Sequence, residues 1–252
     1  MSTKKLKKGL YLVGGGPGDP ELITVKAHKV LESADIILYD NLINRDLLEI
    51  ARKSCKKVYV GKQPYGNYMP QEEIHQLIAE SCNAGSIVVR LKGGDPYIFG
   101  RGYEEVIYAA ALGIESFYIP GISSMQTSGL HGIPLTHRGV SESIWVITGT
   151  KKDGSLSADL ACAINSKATV VIYMGMKKLQ QISAIYEAAG LSEMPAAIIQ
   201  HGSLPEEKKV ICSAGNLAAA AEASGLSYPA ILVIGAVVNV AQHVPELKLH
   251  SA

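Results

Sequence analysis

Five short segments hold the residues that could do chemistry: Gly14-Gly15-Gly16-Pro17-Gly18-Asp19-Pro20, Asp40, Gly61-Lys62, Lys92-Gly93-Gly94-Asp95-Pro96 and Pro120-Gly121-Ile122-Ser123-Ser124. Each follows an apolar run. Between them they offer open glycine backbone, carboxylates, an amine and hydroxyls, a mixture that can hold a small polar ligand. Taken singly, each has a plainer reading. Gly and Pro after a strand make a turn, Asp40 caps the segment starting near Asn41, and Lys62 is a solvated lysine. The case for a site rests on all five sharing one edge of a sheet, since open parallel sheets bind ligands outside the carboxyl ends of their strands.

Spacing excludes several chemistries. After Gly14 and Gly16 the third position of a G-x-G-x-x-G fingerprint is Asp19, and Pro17 and Pro20 lack the N–H groups that cradle a pyrophosphate, which counts against NAD or FAD. No G-x-x-x-x-G-K-[ST] run occurs: Lys56 stands five residues before Gly61, and Gln63 follows Lys62. Gly121-Ile122-Ser123-Ser124-Met125 lacks the last glycine of a serine-hydrolase elbow. The histidines at 28, 75, 131, 137, 201, 243 and 250 form no zinc-ligand spacing, so no metal is expected.

The elements that must position these segments alternate between β-rich apolar runs and helix-period stretches, the pattern of an α/β fold with a sheet wrapped by helices. Gly9–Val13, Asp35–Tyr39, Lys57–Val60, Ser86–Leu91 and Ser116–Ile119 read as the strands of a first lobe, with a helix over Pro70–Cys82. Ile144–Thr148, Thr169–Met174, Ala196–His201, Lys209–Ser213 and Ile231–Gly235 read as a second set. The polar loop Gly132–Gly139 lies between the sets, so the expected lobes are 1–140, carrying the Gly-rich ligand loops, and 141–252. Each lobe is expected to be a mainly parallel or mixed sheet flanked by helices.

Composition is that of an ordinary globular chain of 252 residues, 47% of them hydrophobic and 19% charged. Lys plus Arg number 24 and Asp plus Glu 23, a net charge of +1 that lacks the basic surplus of a nucleic-acid binder. The cysteines at 55, 82, 162 and 212 are too scattered for a CxxC pair and read as reduced cytosolic thiols. Lys4, Lys5, Lys7 and Lys8 precede an apolar run of only Leu10–Val13, which is not a secretion signal, and no run reaches the ~20 residues of a membrane span.

One stretch adds what spacing cannot. Val88-Val89-Arg90-Leu91-Lys92-Gly93-Gly94-Asp95-Pro96-Tyr97-Ile98-Phe99-Gly100-Arg101-Gly102 closely resembles the signature of the uroporphyrinogen-III C-methyltransferases, a family of S-adenosylmethionine (SAM)-dependent tetrapyrrole methylases. Val13–Pro20, Tyr39–Leu42, Val60–Lys62, Gly132–Arg138 and Tyr173–Gly175 support the resemblance, which runs in order over roughly residues 9 to 240. It implies a two-lobed fold, a cytoplasmic homodimer and SAM held between the lobes, with S-adenosylhomocysteine as by-product. It also implies methylation of uroporphyrinogen III at C2 and C7 to give precorrin-2, on the sirohaem or cobalamin route, with no nucleic acid, membrane or metal involved.

By position, Pro17, Gly93, Gly94, Asp95, Ile98, Ser123, Ser124, Met174, Gly202 and Ala230 resemble the family's SAM-contacting residues, and Asp40 and Lys62 its proton acceptor and donor. The substrate is rich in carboxylates, so a nearly neutral protein must collect cations locally. Lys62, Arg90, Arg101, His131, His137 and Arg138 are the candidates, with Arg101, His137 and Arg138 preferred and Arg90 also readable as an ordinary strand-edge charge. The chain departs from the family at Ser123, where Thr is commoner, and near Asn67 and at Thr150, where His is commoner. Two other readings share these residues: a sister methylase acting on another substrate, and a non-catalytic binder of SAM or tetrapyrrole.

Overall fold

The computed structural model describes residues 6–61 and 69–243. Lys62, Asn67 and the last residues of the chain lie outside the described residues. The chain divides into two compact units, Met1–Ser123 and Ser124–Ala252. All ten runs expected as strands are strands, with ends within a residue of those read from the sequence.

The first unit runs β1 (Gly9–Gly14), α1 (Val25–Ser33), β2 (Ile36–Tyr39), β3 (Lys56–Tyr59), α2 (Gln71–Asn83), β4 (Ile87–Lys92), α3 (Gly102–Ala111) and β5 (Ser116–Ile119). Its strands lie in the order β3-β2-β4-β1-β5, and every pairing is parallel. A sheet of this kind must be covered on both faces, and side-chain alternation divides its core accordingly. Tyr11, Val13, Ile37, Val89, Leu91 and Ile119 pack with Val30 and Leu31 of α1. Leu10, Leu12, Leu38 and Val88 pack with Ile74 and Ile78 of α2 and Ala109 of α3. Ile78 is fully buried, and truncating such a residue to Ala costs about 2–5 kcal/mol.

The second unit continues with β6 (Ile144–Thr148), α4 (Asp159–Ala163), β7 (Thr169–Tyr173), α5 (Leu179–Ala188), β8 (Pro195–Gln200), β9 (Lys208–Ser213), α6 (Leu217–Ala223) and β10 (Ala230–Ile234). Its order is β6-β7-β10-β8-β9. The alternation of strands and helices suggests a parallel sheet, but β10 is antiparallel to both neighbours and β9 is antiparallel to β8. The link from β8 to β9 is too short for a crossover helix, so the chain must double back. The division between the two compact units falls at Ser123/Ser124, while the sequence reading divides the lobes at 140/141, after the loop at 132–139. The 3-10 segment Ser124–His131 and the buried Ile133 belong with the second unit, where Ile133 packs against Ala197, Ile199, Ile231 and Val233 of its sheet.

Candidate functional site

Parallel pairing in the first unit places four of the Gly-rich or polar segments, together with Gly61 of the fifth, at the carboxyl edge of one sheet. Three of them lock together through backbone. Gly16 and Gly94 form an antiparallel bridge, with Gly94 N–H donating to Gly16 O at 2.7 Å, and Gly94 has φ +64°. A Cβ on Gly14 would lie 2.5 Å from Gly121 Cα and 2.7 Å from Gly94 O, so only glycine lets the loops after β1, β4 and β5 meet there.

Asp95 fastens the same loops. Its Oδ1 accepts from Tyr97 N–H at 2.8 Å, and its Oδ2 accepts from the Tyr118 hydroxyl at 2.6 Å and from Gly121 N–H at 3.0 Å. The carboxylate is thus engaged with the protein itself. Burial pushes the Tyr118 phenol well above its usual range, and the bond to Asp95 adds to the effect.

Asp40 follows β2 on the face shared by Leu38. Leu42 N–H donates to its Oδ1 at 3.1 Å, an Asx turn in place of the helix cap that the sequence also allowed. Its Oδ2 faces two cations of the central strand, Arg90 Nη2 at 3.5 Å and Lys92 Nζ at 3.9 Å. Those cations share Glu105 of α3, whose Oε1 lies 3.1 Å from Arg90 Nε and 3.7 Å from Lys92 Nζ. Desolvation, then the adjacent Arg90 charge, pulls the Lys92 amine below its usual range.

This corrects the strand-edge reading of Arg90. β4 is the middle strand of five, the Arg90 side chain is 4% exposed, and its guanidinium also donates to Leu38 O and Leu91 O. It is therefore not available to a substrate carboxylate at the surface. The sequence reading misses Glu105 and takes Lys92 only as part of its Gly-rich loop. The available signal was the alternation Val88-Arg90-Lys92, which puts two charges on the face of an apolar residue and so demands a counter-ion from the next helix.

In the second unit, the mixed topology brings the carboxyl ends of β7 and β8 and the amino end of β10 to one edge, with Ala230 opposite Gln200 and Ile231 opposite Tyr173. Met174, Gly202 and Ala230, far apart in sequence, therefore share that edge. Met174 has φ +55° and is half exposed, and the Thr150 hydroxyl donates to its carbonyl at 2.9 Å. A Cβ on Gly202 would collide with Thr127, and the flanking His201 and Ser203 have φ +53° and +72°. Left-handed non-glycine residues are costly, and they gather where a ligand or a switch needs them.

The remaining candidate cations differ. Arg101, at φ +58°, pairs with Glu104 through Nε at 2.9 Å and Nη2 at 2.6 Å and stays exposed. His137 and Arg138 lie in an exposed turn closed by His137 and Ser141, with His137 Nδ1 against Arg138 O at 3.0 Å. His131 is buried beside Glu207, at 3.1 Å from Nε2 to Oε1, and so is not displayed. Pro17, Gly93 and Ser123 stand on the first sheet's edge loops, and Ile98 in the turn that follows Asp95, where Ile98 N–H donates to Asp95 O. Ser124 opens the second unit. Among the described residues, no helix is long and apolar enough to cross a membrane, and no group of three or more His, Cys, Asp or Glu could hold a metal ion.

Comparison with known proteins places this arrangement. The siroheme synthase of Psychrobacter sp. is 40% identical over 230 residues, covering 90% of this chain and 47% of that protein. This chain thus spans about half the length of the siroheme synthases it matches. The S-adenosyl-L-methionine-dependent uroporphyrinogen III methyltransferase, chloroplastic, of Arabidopsis thaliana is 39% identical over 249 residues, 96% of this chain and 67% of that one. Among solved structures, the uroporphyrin-III C-methyl transferase of Thermus thermophilus, complexed with S-adenyl homocysteine, superposes with a TM-score of 0.79 at 37% identity over 92% of this chain and 99% of that one. The family model "Tetrapyrrole (Corrin/Porphyrin) Methylases" matches residues 9–218, from β1 into α6, and this chain belongs to that family.

Proposed function

We propose that this chain transfers methyl groups from SAM to C2 and C7 of uroporphyrinogen III, giving precorrin-2. The observation that carries the reading is the alignment of the Thermus thermophilus enzyme along 99% of its own length at 37% identity. The residues at the two sheet edges suit such a ligand. The first sheet's edge loops supply glycine backbone with Lys92 buried, and the second unit's edge separately supplies the half-exposed Met174 thioether; among the described residues, neither edge displays the cations that a polyphosphate would need.

In this reading Pro17, Gly93, Gly94, Asp95, Ile98 and Ser123 of the first unit and Ser124, Met174, Gly202 and Ala230 of the second hold SAM. Asp95 does so through its backbone, because its carboxylate is engaged by Tyr97, Gly121 and Tyr118. When bound, SAM supplies a methyl carbon that is already electrophilic, so the protein need make no covalent nucleophile and no metal is called for. Its tasks are alignment and proton handling. Asp40 takes the proton that leaves the ring system for each methyl gained and passes it to solvent, Lys62 protonates one ring position only as another loses its proton, and Arg101, His137 and Arg138 meet the substrate's carboxylates. The chain works as a cytoplasmic homodimer feeding sirohaem or cobalamin synthesis.

The test is anaerobic incubation of the protein with SAM and uroporphyrinogen III generated in situ, followed by mass spectrometry. A gain of two methyl groups, sharply reduced in Asp40→Ala, supports the reading. SAM binding with no change in tetrapyrrole mass defeats the substrate assignment and leaves a sister methylase or a binding protein.

A further inference from the structure

Resting on the role given to Asp40 above, we propose that Lys92, anchored by Glu105, is a positioning residue that fixes the orientation of the Asp40 carboxylate at the sheet edge by holding its Oδ2. The register makes the pairing. Leu38 stands opposite Arg90 and Tyr39 opposite Leu91, so the next positions along the two strands are Asp40 and Lys92. Both continue the face that carries Leu38 and Val88.

The charge balance then dictates what Lys92 does. Arg90, Lys92 and Glu105 have side chains 4%, 8% and 1% exposed, and two cations so deeply buried need two counter-ions. Glu105 supplies one. Its Oε1 serves Arg90, Lys92 and Gln71 Nε2 at once, while its Oε2 has no hydrogen-bond partner among the described residues. Asp40 is the second counter-ion and the only member of the quartet at the open end, 23% exposed. With Leu42 N–H holding Oδ1 and both cations drawing Oδ2, its carboxylate has one favoured orientation.

A purely structural ion pair is commonly bettered by apolar residues of the same volume, and a buried carboxylate oxygen left without a donor is destabilising. Keeping so expensive an arrangement at the end of the central strand makes sense if it serves the residue at its mouth. Among the described residues, the carboxylates beside Lys92 Nζ are Asp40 and Glu105. From α2, Gln71 reaches Glu105 and also His75, whose ring stacks on Tyr108 of α3.

The experiment is a double-mutant cycle on the full chain, with SAM and uroporphyrinogen III as substrates. Lys92→Met is expected to lower kcat by about a hundredfold, as a misaimed group does, while the SAM Kd and both KM values move less than about threefold. In an Asp40→Asn background the same change should lower kcat less than about twofold further. Equal losses in the two backgrounds, or a loss carried by KM or by SAM binding, overturns the proposal. If Lys92→Met does not fold, Glu105→Gln must show the same coupling to Asp40. Failure of both variants to fold makes the quartet structural and overturns it too. A wild-type chain that leaves uroporphyrinogen unmethylated removes the functional reading and this one together, whereas an active wild type with an unaffected Lys92→Met removes this one alone.

Discussion

The Tyr118 hydroxyl donates to Asp95 Oδ2 at 2.6 Å, so one bond ties β5 to the loop that follows β4, and the Tyr97 ring stacks on Tyr118 with centroids 4.1 Å apart. Tyr118→Phe keeps the stack and removes the bond. Because Tyr118 is partly exposed, the expected loss of stability is about 1 kcal/mol, with SAM affinity falling about threefold through a looser Gly93-Gly94 turn. Denaturant melts and calorimetric SAM titration would measure both. Unchanged SAM affinity would mean that the loop needs only Tyr97 and Gly121 to hold Asp95.

The same pair gives an alkaline prediction. The phenol's raised value in the folded chain means that the unfolded chain releases its proton first, so stability falls as pH climbs past about 10, the usual tyrosine value. Tyr118→Phe should flatten that decline. Parallel pH–stability curves for the two proteins above pH about 10 would show that the Tyr118 proton is not linked to folding.

Thr150 has a structural task just past the end of β6. Its hydroxyl holds the carbonyl of Met174, which sits in the left-handed region at φ +55°. Thr150→Val keeps the shape and removes the donor, leaving the strained residue less well held. The expected result is about 1 kcal/mol of stability lost and a several-fold weaker SAM Kd, with the tetrapyrrole KM nearly unchanged. A SAM Kd equal to wild type would mean that the Met174 conformation does not depend on this bond.

The strands were legible because β-branched and aliphatic runs are local signals, and parallel pairing then made one edge out of five separate loops. What stayed hidden depends on neighbours. Nothing within Ala230–Ile234 says that it runs against β7 and β8, since strand direction leaves no mark on a buried apolar run. Arg90 looks the same in sequence whether its strand is central or marginal, and only the order β3-β2-β4-β1-β5 buries it and calls up Lys92 and Glu105. The left-handed Phe99, Arg101, Met174, His201 and Ser203 carry no glycine to announce them.

Cysteine chemistry gives a test that needs no substrate. Burial pushes the Cys82 thiol up to about 11, and burial also raises Cys55 and Cys212, whereas Cys162 is exposed. Alkylation follows the thiolate, so at pH 8 Cys162 should label first, with Cys82 at least about tenfold slower. Between the unfolded value near 9 and the folded value near 11, the unfolded chain loses the Cys82 proton and the folded chain keeps it, so this group's contribution falls as pH rises through that window. Cys82→Ala should reduce the slope there. Peptide mass mapping after timed iodoacetamide treatment decides the first point, and labelling of Cys82 as fast as Cys162 in the native protein would contradict the packing of the Cys82 end of α2 beside Ile78 and Val88.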